Sequence, residues 1–143
     1  MILYCDTSAL VKLYIVEPGS DAVKALGRQA ESVAVCRIAW AEYHAALSRR
    51  AREVPADEDA TELAKRRLVD EWPRYLVMEV SQQVVEKAGE FADTFALRGY
   101  DAVQLAAAHE AMTEGRRPLV FACFDRRLNK AASVLDMEVP AIP

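Results

Sequence analysis

The sequence predicts an α/β fold: a three-layer α/β/α sandwich around a central, mainly parallel sheet of four or five strands. Three observations predict it. Short apolar runs at residues 2–5, 33–36, 75–80 and 118–124 alternate with longer stretches of helical period. The runs are close to uniformly apolar, as strands covered on both faces are. Strands alternating with helices in this way call for a parallel sheet with helices on each side. A chain of 143 residues with 52% apolar content suits one domain, 1–143, able to build a core without staples.

The elements follow in order. Residues 2–5 form a buried first strand, and residues 8–14 have helical spacing. Glu17-Pro18-Gly19-Ser20 is a turn, from which Ser20 caps a helix to about Ala30. Residues 33–36 are the second strand. A helix from Ile38 to about Arg52 ends in a basic tail that suits the negative end of its dipole. Val54-Pro55-Ala56 breaks the chain, and Asp57 opens a charged helix ending at Trp72-Pro73. Residues 75–80 are the third strand. Ser81 caps a helix with Val84, Val85, Ala88, Phe91, Ala92 and Phe95 on one face, and Gly99 ends it. Asp101 begins an alanine-rich helix that stops near Gly115. Residues 118–124, apolar throughout, predict a central fourth strand; Asp125 starts a short helix, and residues 137–139 a final edge strand.

Several classes fall away. No apolar run reaches the roughly 18 residues of a membrane span. The start, Met1-Ile2-Leu3-Tyr4-Cys5-Asp6, lacks the basic opening and long apolar stretch of a signal peptide; the expectation is a cytoplasmic protein. Cys5, Cys36 and Cys123 lie in apolar runs without metal-ligand spacing and are expected as buried free thiols. His44 and His109 read as ordinary helix residues. The net charge of −4 argues against nucleic acid at first sight. Setting four clustered site carboxylates aside leaves a balanced surface, and the objection weakens.

The chemistry is expected where the strands end, because ligands of open α/β sheets bind beyond the carboxyl ends. Asp6 follows the first strand and Asp125 the fourth; if those strands are neighbours, the two carboxylates converge. Glu42 is the only charged residue between Arg37 and Arg49, and shares a helical face with Ile38, Ala41, Ala45 and Ala46 that is expected to pack on the core. Asp101 heads an alanine-rich helix on its Leu105/Ala108 side. A lone buried carboxylate is costly unless it is paired, protonated or bound to metal. Singly, Asp6, Asp101 and Asp125 read equally well as helix caps worth about 1 kcal/mol each, and Glu42 as half of an ion pair with Arg37 or Arg98. Jointly they read otherwise. Two carboxylates 4 Å apart repel by roughly 4 kcal/mol at an effective dielectric of 20, so four converging acids call for a cation. Oxygen ligands without cysteine or paired histidine select Mg²⁺ or Mn²⁺, an ion suited to phosphodiester hydrolysis.

Asp6-Thr7-Ser8-Ala9-Leu10-Val11-Lys12, Ala41-Glu42, Tyr100-Asp101-Ala102 and Phe124-Asp125-Arg126-Arg127-Leu128, in this order and on this strand–helix pattern, resemble the motifs of the VapC-like PIN-domain ribonucleases. The resemblance covers essentially the whole chain. It implies that Asp6, Glu42, Asp101 and Asp125 hold one or two Mg²⁺ or Mn²⁺ ions, with Asp125 acting directly or through water. Ser8 resembles the family's hydroxyl near the metal, with Thr7 its neighbour. It further implies cleavage of RNA, often tRNA or ribosomal RNA, to 5′-phosphate and 3′-hydroxyl ends, by a homodimeric toxin that a small antitoxin blocks. One departure is Cys123, where members often carry Thr or Ser.

Lys12 and Arg126 are the basic residues nearest the predicted crevice and candidate RNA-phosphate contacts; Arg49, Arg50, Arg52, Arg116, Arg117 and Arg127 read as solvated helix faces. The charged helix from Asp57 to Trp72 suits recognition or dimerisation. A phosphatase-type site would need a second Asp where Ser8 stands, a receiver domain paired acids near the first strand, and a P-loop a glycine pattern that is absent. The remaining alternative is a catalytically inactive PIN-like module that binds RNA or protein.

Overall fold

A computed structural model describes residues 1–142. Four strands, β1 (Ile2–Cys5), β2 (Ser32–Cys36), β3 (Leu76–Met78) and β4 (Leu119–Ala122), form one sheet in the order β3-β2-β1-β4, and every pairing is parallel. Seven helices join them: α1 (Thr7–Lys12), α2 (Ser20–Gln29), α3 (Ala39–Glu53), α4 (Glu58–Glu71), α5 (Gln82–Phe95), α6 (Gly99–Gly115) and α7 (Arg126–Val134). No helix among the described residues is long and apolar enough to cross a membrane.

The strand pleat sends alternate residues to opposite faces, and each face has its own core. Ile2 and Tyr4 pack with Ala34, Cys36, Leu119 and Phe121 under α5, α6 and α7. Leu3 and Cys5 pack with Val35, Val120 and Ala122 under α1, α2, α3 and α4. That is why the strands read as uniformly apolar, and it is the expected three-layer α/β/α sandwich. Tyr4 and Phe121 stack across the β1–β4 pair, ring centroids 5.6 Å apart. Large side chains buried to this degree each contribute roughly 1.5–3 kcal/mol. The three cysteines are free and buried, as expected.

The boundaries depart from expectation at several points. The fourth strand is not central: β1 and β2 hold the interior positions, and β4 lies at the end of the four. Its outer edge is closed by a single parallel bridge from Val120 to Glu138, all that forms of the expected strand at 137–139. The third strand shortens to Leu76–Met78 at the opposite edge. Ser20 is not a cap. Gly19, at φ +91°, occupies that position, while the Ser20 hydroxyl donates to the Ile15 carbonyl and accepts from Glu17 N–H. Gly99 does not end α5; Ala96 does so in the left-handed conformation, and Gly99 opens α6. Asp101 therefore stands inside the first turn of α6 and is no cap.

Candidate active site

Because β1 and β4 are neighbours in register, with Cys5 opposite Ala122, Asp6 and Asp125 both follow the sheet at the same carboxyl edge. Each caps the helix that follows: Asp6 accepts from Ala9 N–H at 3.0 Å and Asp125 from Leu128 N–H at 2.9 Å. The capping reading thus holds for both, and does not compete with a second role. A carboxylate capping through Oδ1 keeps lone pairs for another partner.

Asp6 is buried, and burial raises its carboxyl above the ordinary range, helped by the charge of Asp101; hydrogen bonds from Ser8 and Ala9 pull the other way. The Ser8 hydroxyl donates to Asp6 at 2.6 Å. Thr7 turns to Glu42, donating at 2.8 Å. The Asp6-Thr7-Ser8 segment thereby links two of the predicted acids.

Glu42 is half-buried, yet not for the expected reason. Ala41, Ala45 and Ala46 are exposed, and α3 buries Ala39, Tyr43 and Leu47 instead. The larger side chains take the core-facing stripe. Glu42 faces the carboxyl edge of the sheet, where no arginine meets it: Arg37 is engaged with Glu79. Its second hydrogen bond comes from Gln104 Nε2 at 3.0 Å. Gln104 is a residue that pattern reading missed. It is 4% exposed, accepts from the buried Tyr4 hydroxyl at 2.5 Å and also donates to Thr7. The signal was present, since Gln104 is the sole polar side chain in residues 102–108.

Asp101 is also raised, first by burial and then by repulsion from Asp125 and Glu42, with Arg98 opposing. It shares a cavity of about 480 Å³ with Asp125, Arg98, Arg126 and Arg127. Cys123 fills its departure from the family motif with a sulfur contact, accepting from Asp125 N–H at 3.3 Å. Lys12, by contrast, is engaged: its ammonium donates to Glu17 at 2.7 Å and sits 4.4 Å from the centre of the Phe124 ring. None of Asp6, Glu42, Asp101 and Asp125 forms an ion pair among the described residues.

A family model for the PIN domain matches residues 3–134. The chain is a PIN-domain protein. This PIN domain is 37% identical to Ribonuclease VapC45 of Mycobacterium tuberculosis over 131 residues, 92% of this chain and 89% of the relative. Its fold is shared with FitAcB from Neisseria gonorrhoeae (TM-score 0.63, 18% identity, 97% of this chain and 96% of the other). A toxin-antitoxin complex from Klebsiella pneumoniae also shares it (TM-score 0.57, 19% identity, 84% of each chain).

The donor chemistry of the PIN domain fits a hard divalent cation: carboxylate oxygens, those of Asp6 and Asp101 raised by burial first and by neighbouring acids second, with hydroxyls beside them. Among the described residues no three Asp, Glu, His or Cys side chains close on one point.

Proposed function

We propose that this PIN domain is a metal-dependent endoribonuclease, the toxin of a toxin–antitoxin pair, working in the cytoplasm. The observation that carries the reading is the set of four acids at the carboxyl edge of the sheet, none of them ion-paired, with Asp6 and Asp101 raised by burial and by the charge of neighbouring acids. The buried Asp6 and half-buried Asp101 are costly as lone charges, a cost that a divalent cation would relieve. The 37% identity to a relative named a ribonuclease supports the reaction class.

Asp6, Glu42, Asp101 and Asp125 are the metal-holding residues in this reading, with Mg²⁺ or Mn²⁺ as the cofactor. The chemistry such an ion supplies is polarisation of the phosphate and activation of a water for in-line attack. The chain's own part is positioning. Ser8 and the Ala9 amide fix the Asp6 carboxylate, and Thr7 and Gln104 fix that of Glu42. Arg126, with Arg98 and Arg127 beside it, draws the RNA phosphate toward the Asp101–Asp125 side. Lys12 is held by Glu17 and Phe124, so Arg126 is the better placed of the two candidate phosphate contacts. The substrate is of the tRNA or ribosomal RNA class, the protein acts as a homodimer, and a small antitoxin is its partner.

The experiment is incubation of purified, antitoxin-free protein with total cellular RNA and Mg²⁺ or Mn²⁺, beside an EDTA control and the Asp6→Asn and Glu42→Gln variants. Discrete cuts that disappear with chelator and with either substitution are expected. No cleavage, together with no quartet-dependent Mn²⁺ binding by calorimetry, would replace the enzyme with an inactive binding module.

A further inference from the structure

On the opposite end of the sheet lies a cleft of about 670 Å³ to which neither the carboxylates nor the motifs contribute. Lys24 and Arg28 of α2, Arg67 of α4 and Arg74 of the following turn line it. Four cations face one carboxylate, Glu71, and Glu71 is occupied by the Tyr14 and Tyr75 hydroxyls. None of the four cations forms a salt bridge among the described residues. Arg67 stands 5.1 Å from the centre of the Tyr14 ring, so at least one guanidinium is held in place by its own scaffold.

This concentration of unneutralised positive charge occurs on a chain with 22 acidic and 18 basic residues. Its members are spread over two helices and a turn, which suits a polyanion with repeated charges better than a lone phosphate. Val33 and Tyr75 in the lining mark the amino ends of β2 and β3, whereas Asp6 and Asp125 follow the carboxyl ends of β1 and β4. A strand of five residues spans roughly 16 Å, so only a ligand longer than a few nucleotides reaches both places.

We propose that the Lys24–Arg28–Arg67–Arg74 cleft is a second RNA-binding surface that anchors the body of a long substrate away from the scissile phosphate. The identity of the polyanion rests on the nuclease reading above. The test uses the full chain carrying Asp6→Asn, so that binding is measured apart from cleavage, with and without Lys24→Gln, Arg28→Gln and Arg74→Gln together. Binding to bulk tRNA and to a hexanucleotide RNA is followed as salt is raised. The triple variant should bind tRNA at least tenfold more weakly at low salt, with a log–log salt slope shallower by about 2 for three lost contacts, and should bind the hexanucleotide as before. Lys24→Arg, Arg28→Lys and Arg74→Lys together should restore the slope, and Arg28→Glu alone, at an exposed position, should weaken tRNA binding in the same direction.

Unchanged tRNA affinity and slope would overturn the inference, as would an equal loss for both RNAs or an absence of tRNA binding by the parent. Binding of poly-glutamate that needs the three cations, with tRNA binding unchanged, would assign the cleft to an acidic protein segment and equally overturn it. Absent metal-dependent cleavage by the wild type would sink the nuclease reading alone, leaving the binding comparison to decide the cleft.

Discussion

At the scale of single residues, two uncharged positions support the candidate site. Gln104 accepts from Tyr4 and donates to Glu42, so it joins the core beneath α6 to the carboxylate above. Gln104→Ala leaves the fully buried Tyr4 hydroxyl without a partner and should cost about 1–3 kcal/mol in denaturant unfolding. It should also weaken Mn²⁺ binding measured by calorimetry, since Glu42 loses a donor that orients it. Gly19 is the other. Its φ of +91° strains any other residue, and a Cβ there would meet Phe124 Cε1 at 2.8 Å. Phe124 adjoins Asp125, so Gly19→Ala should lower the thermal midpoint and disturb the Asp125 end of the site together. A Gly19→Ala protein with unaltered melting would refute this account of the turn. Gln104 was readable as the one polar residue in an alanine run; the contact of Gly19 with Phe124 was not, because it joins positions 105 residues apart.

At the scale of elements, the turn after α1 is tied to α3 by ions. Glu17 accepts from Lys12 and from Arg50, and Arg50 also reaches Asp57, which precedes α4. Burial alone would raise the Glu17 carboxyl, but the hydrogen bonds and charges of Lys12 and Arg50 overcome it and hold it below its usual value. A depressed carboxyl contributes stability above its unfolded pKa of about 4.3 and loses it as pH falls through the lower folded value. Glu17→Gln should therefore lower the melting temperature at pH 7, and the gap from wild type should close below about pH 4. Element kinds were legible here because period and strand length are local properties. Their edges were less so. Ala96 ends α5 in the left-handed region that glycine ordinarily supplies, so Gly99 drew the boundary in sequence. The face of α3 was misread because an alanine is as much at home in solvent as in a core, and Tyr43 and Leu47 decided the matter.

At the scale of the whole molecule, the sandwich was legible and the strand order was not. All four apolar runs carry similar signals, since helices cover both faces of each; only the pairing shows β1 and β2 inside and β4 at the end. The neighbourhood of Asp6 and Asp125 was accordingly conditional on an adjacency that local patterns do not contain. If the four acids hold a cation, folding and metal binding are linked. Mn²⁺ at a hundred times its dissociation constant should stabilise the protein by about 2.7 kcal/mol, read as a rise in melting temperature that Glu42→Gln removes. Absence of any rise in wild type would count against the quartet as a cation site.

The pairing of the first strand with the last has a consequence for the order of events during synthesis. β1 leaves the ribosome before any other strand, yet its β4 neighbour comes more than a hundred residues later. Contacts of such separation form late and slowly, and domains fold as units during synthesis. A nascent chain that has made β1, β2 and β3 still has one side of β1 open and lacks Asp125 at the edge where Asp6 stands. Whatever chemistry resides at that edge is withheld from the growing polypeptide and arrives only when its final third has docked.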